Sequence, residues 1–73
     1  MNKEQKFVKV RGIVRFSLCF AKREEDERHR RDLFMFCRGL VSMAYDLRYI
    51  DRPNRALLLS YIDEQEKIAN ETN

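Results

Sequence analysis

"KFVKVRGIVRFSLCFA", residues 6 to 21, can be read with two periods, and the choice between them decides the fold. Taken as a strand, its even positions Val8, Val10, Val14, Phe16, Leu18 and Phe20 are apolar, broken only by Gly12. Lys9, Arg11, Arg15 and Ser17 then share the other face, which is good alternation in β-favouring residues. Taken as a helix, Phe7, Val10, Val14, Leu18 and Ala21 form one stripe, and Asn2 with Gln5 makes a capping box. Val8, Ile13, Phe16 and Phe20 then scatter around the circumference, and Gly12 in mid-helix costs about 1 kcal/mol relative to alanine. The alternation favours the strand. The expected fold is therefore α+β, an N-terminal β-strand or hairpin followed by two α-helices, with an all-α three-helix bundle as the alternative.

Downstream, "KREEDERHRRD" (22 to 32) holds ten charged side chains and one histidine. Its acids Glu24, Glu25, Asp26 and Glu27 precede its bases Arg28, Arg30 and Arg31, the order that suits the start of a helix. Glu24 with Arg28, Asp26 with Arg30, and Glu27 with Arg31 are spaced as helical ion pairs four apart. Five bases offset five acids, so the stretch projects no net field toward phosphate. His29 and Glu25 fall short of a metal ligand set.

The helix begun there is expected to continue through "LFMFCRGLVSMAYDLRYI" (33 to 50). Leu33, Phe36, Cys37, Leu40, Ala44 and Leu47 make one stripe. Phe34, Val41 and Tyr45 make a second, and Gly39 offers a point of close approach to another backbone. One rod over residues 24 to 49 would span about 39 Å, more than a compact chain of this length encloses, so the second stripe is a candidate surface for a partner. Asp51 is a good cap and Pro53 suits a first turn, opening a last helix from about Arg52 to Ala69.

Seventy-three residues are expected to make a single domain with a thin core, hiding about 60% of the unfolded surface. Small cores of this kind usually need a staple or a partner subunit. The only cysteines, Cys19 and Cys37, form neither a disulfide framework nor a zinc set, which suits a reducing, cytoplasmic setting. No run is long and apolar enough for a membrane span, and with its early charges "MNKEQKFVKV" is not expected to act as a signal peptide. Phosphate loops, nucleophile elbows and clustered ligands are absent, so neither enzyme activity nor a cofactor nor a metal is expected.

Two binding functions fit these residues. The first is a small regulatory protein, an adaptor or inhibitor of a larger protein or macromolecular machine. Its contacts would come from Phe34, Arg38, Val41, Tyr45, Arg48, Tyr49, Arg52 and Arg55, the apolar, tyrosine and arginine types enriched in interface hot spots. A homodimer is a further candidate assembly. The second is a dimeric DNA-binding transcription regulator, with the element order of a ribbon-helix-helix protein, reading DNA through Lys9, Arg11 and Arg15 on a basic strand. Residues 1 to 21 carry five bases against one acid, whereas 52 to 73 carry three against four.

Overall fold

A computed structural model describes residues 1 to 72 and contains three helices: α1 (Lys3–Arg23), α2 (Glu27–Asp46) and α3 (Arg52–Thr72). The expected N-terminal strand is not there, and the α+β expectation is corrected to the all-helical bundle. Residues 6 to 21 lie wholly within α1. The physical reason begins at Asn2. Its side chain accepts from the Gln5 N–H at 2.8 Å, and Gln5 Oε1 accepts from the Asn2 N–H at 3.0 Å, closing the capping box that nucleates the first turn. Val10, Val14, Leu18 and Ala21 then bury one stripe, while Gly12 faces open space and disturbs no packing.

The charged stretch is a turn followed by the first turn of α2. Glu24 caps the end of α1, and Asp26 caps α2 by accepting from the His29 N–H at 2.9 Å. The expected acid–base pairs four apart do not form among the described residues; Glu24 instead meets His29 Nδ1 at 3.3 Å. Arg30 turns inward. It is the one charged residue buried among those described, and its guanidinium donates to the carbonyls of Glu24 and Glu25 and to Asn70 Oδ1.

Helix α2 stops three residues short of the expected end. Arg48 takes a left-handed backbone (φ 62°), the Tyr49 N–H bonds the Ala44 carbonyl at 2.9 Å, and the Arg48 N–H bonds that of Tyr45 at 3.0 Å. This is a Schellman stop with arginine where glycine is usual. Asp51 then caps α3 by accepting from the Asn54 N–H at 2.9 Å, with Pro53 in the first turn, as the sequence indicates. At 20 residues, α2 lies within a rod of 38 × 16 × 16 Å and does not overhang its neighbours. All three helices pack around one core built on Val14, Phe34, Cys37, Val41 and Ile62.

Candidate functional site: an apolar face and a basic end

Phe34 and Val41, expected at an exposed interface, are completely buried. Their stripe faces the centre of the bundle, so they contribute packing rather than contact with a partner. Arg38 is held within the chain. Its Nη2 lies 2.7 Å from Asp63 Oδ1 and 2.6 Å from Glu66 Oε1, tying α2 to α3. Burial works against the Arg38 charge, but the hydrogen bonds to Asp63 and Glu66 outweigh it and leave the guanidinium more basic than usual.

The other expected contact residues do come together, at the end of the bundle where α2 passes into α3. The Arg55 guanidinium lies 4.6 Å from the centre of the half-buried Tyr45 ring, and its Nε is buried with no hydrogen-bond partner among the described residues. Lys6 Nζ stands 5.5 Å from the Tyr49 ring centre, and Lys3 pairs with Asp51 at 2.6 Å. Arg48, beside them, and Arg52, at the start of α3, are both exposed. The result is a basic end bearing tyrosines, with a hollow of about 290 Å³ between Lys3, Lys6, Arg48, Tyr49, Ile50 and Asp51.

The three bases expected to read DNA are split by the helical geometry. Arg11 and Arg15 flank a groove of about 330 Å³ between α1 and α3, walled by Phe7, Leu57, Leu58 and Tyr61. Lys9 points away from them, because about 100° per residue places it roughly opposite Arg11 and Arg15 on α1. Without a strand, the ribbon-helix-helix reading loses the element that would enter the groove of DNA.

A further apolar surface lies along α1 and α2. Ile13, Phe16 and Phe20 on α1 and Phe36, Met43 and Leu47 on α2 are all exposed, Phe16 by 63% and Leu47 by 64%. At about 100° per residue the three α1 positions fall within an arc of about 60° that begins with Ile13 beside α2 and ends with Phe16 on the outer side of the helix, and the three α2 positions fall within about 40°. A shallow groove of about 160 Å³ already joins Ile13 to Met43, Leu47 and Tyr49 over Val10, Leu40 and Ala44. Phe16 and Phe20 meet edge to face, with ring centres 5.3 Å apart. Helical spacing alone put Phe36 and Leu47 in the core stripe. They stand at its edge, where neighbouring helices rather than sequence decide what is covered. Tyr49 carries this face into the basic end.

No helix among the described residues is long and apolar enough to cross a membrane, and no group of three or more histidine, cysteine, aspartate or glutamate side chains among them could hold a metal ion. The chain matches no protein-family model, no curated protein and no solved structure.

Proposed function

We propose that this chain is a small, non-enzymatic, cytoplasmic regulatory protein that works as an adaptor or inhibitor by binding a larger protein through the α1/α2 face. The observation that carries this reading is the apolar patch from Phe20 to Leu47. Six large side chains left about half exposed present roughly 600 Å² of apolar surface, at or beyond the largest patch usual for a monomer. Aromatic and methionine side chains at such a patch are the types enriched at the centres of interfaces. The adjoining bases Lys3, Lys6, Arg48 and Arg52 form a polar rim that favours a partner with acidic groups beside its apolar contact.

Photocrosslinking tests this reading. Reactive groups placed at Phe20 and Leu47 should trap a larger protein in cells, while one at Lys67, on α3, should not. Loss of the adducts on Met43→Lys would support the face as the docking surface. Equal trapping from all three positions, or none from any, would overturn it.

A further inference from the structure

We propose that in the isolated protein the α1/α2 face is closed by a second copy of the chain, packed so that α1 of each copy lies against α2 of the other. The proposal rests on reading that face as an interface, and it names the occupant that any larger partner must displace.

Area is the first argument. The chain exposes 5393 Å², whereas a compact monomer of 8.9 kDa exposes about 4,800 Å². The excess is of the same order as the apolar face, which approaches the roughly 800 Å² that each partner buries in a standard interface.

Charge selects the arrangement. The outer part of the face carries Lys9 and Arg23 on α1 and Arg28, Asp32 and Asp46 on α2, two bases against a net single acid; all five are exposed and none is ion-paired among the described residues. The helices are antiparallel, with Lys6 reaching the Tyr49 ring and Val10, Ile13 and Val14 sharing a groove with Leu40, Met43 and Leu47, a register good to about one turn. In that register Lys9 lies level with Asp46, and Arg23 with Asp32. A two-fold axis parallel to the helices sets each α1 over the other copy's α2 and keeps these heights, so Lys9 meets Asp46 of the second copy and Arg23 meets Asp32. A two-fold axis across the helices would instead set base against base and acid against acid, which opposes association.

Shape agrees with the first arrangement. Phe16 comes level with Gly39 of the second copy, where even an added Cβ would meet nothing within 4 Å in the chain's own fold. The missing side chain leaves room for the ring. Such a pairing is isologous and closed, giving a dimer rather than a fibre. Because one face cannot hold two occupants, self-association and partner binding compete, and the dimer is the resting form.

Sedimentation equilibrium of the full chain, from micromolar to submillimolar concentration, tests the proposal. The expected result is a species of twice 8.9 kDa. Phe16→Glu, at an exposed position that leaves the core intact, should raise the dissociation constant about tenfold or more, with helical circular dichroism unchanged. Lys9→Glu and Asp46→Lys should each weaken the dimer about two- to fivefold, and the double variant should recover the loss. Failure of that rescue overturns the α1-on-α2 arrangement. A monomer at every concentration, or a dimer indifferent to Phe16→Glu, overturns the second copy as occupant. Neither result touches the crosslinking outcome, so the docking face stands or falls separately.

Discussion

Arg30 and Asn70, forty residues apart in sequence, are joined by a hydrogen bond of 3.1 Å from Nε to Oδ1. The same guanidinium reaches the carbonyls of Glu24 at 3.0 Å and Glu25 at 3.3 Å, so one side chain ties the α1–α2 turn to the last turns of α3. Buried charge is costly unless its hydrogen bonds are complete. Arg30→Ala should therefore lower stability by about 2–4 kcal/mol, read from urea unfolding. Arg30→Lys should recover little, because an ammonium cannot span the fork of three acceptors. A full recovery by lysine would mean that the charge matters and the fork does not.

Arg48 is the reverse case, a residue at odds with its backbone. A left-handed φ of 62° costs a residue with a Cβ about 1–2 kcal/mol, and glycine escapes most of that cost. Arg48→Gly should raise the unfolding free energy by about 1 kcal/mol. Destabilisation instead would show that the arginine side chain supports the turn.

Asp51 makes stability depend on pH. The hydrogen bond from Lys3, with that from the Asn54 N–H, holds its carboxyl below the ordinary value of 3.8. A carboxylate depressed in the folded state stabilises fully above its ordinary pKa, and that contribution is lost as pH falls through the folded value. Acid unfolding should thus be less steep in Asp51→Asn, which keeps a helix cap but carries no charge. Identical acid limbs in the two proteins would remove Lys3–Asp51 from the account.

The two thiols should separate cleanly. Cys19 is exposed, while Cys37 is buried in the core, and desolvation pushes its pKa up. A thiol reagent should modify one cysteine rapidly in the native protein and the second only on unfolding. Rapid modification of both thiols would contradict the packing around Phe34 and Val41.

Local chemistry was readable in the sequence where a cap or a proline decides the outcome within one turn, but not in the charged stretch, whose expected acid–base pairs do not form among the described residues. Asp51 and Pro53 mark the start of α3 because capping and proline geometry act within one turn. Residues 6 to 21 were not readable in the same way, since a run dense in valine and phenylalanine satisfies both periods. What breaks the tie is the Asn2–Gln5 box, together with two helices able to bury Val10, Val14 and Leu18. The burial of Phe34 and Val41 was missed for a related reason. Phe34 and Phe36 lie two residues apart on one broad apolar arc, and only the positions of α1 and α3 determine which edge is covered. The basic end was legible because Tyr45, Arg48, Tyr49 and Arg52 are close in sequence and stay close across the turn.

Leu47 and Leu57 supply the most direct test of the α1/α2 face, because the single chain exposes them almost equally, by 64% and 60%. Methyl NMR with a soluble paramagnetic agent, at a concentration where the dimer dominates, measures how much solvent each one meets. The predicted result is strong broadening of Leu57 and little of Leu47, with the Ile13 and Met43 methyls shielded alongside Leu47. Equal broadening of Leu47 and Leu57 would show that the α1/α2 face stands open in solution and would contradict the second copy as its occupant.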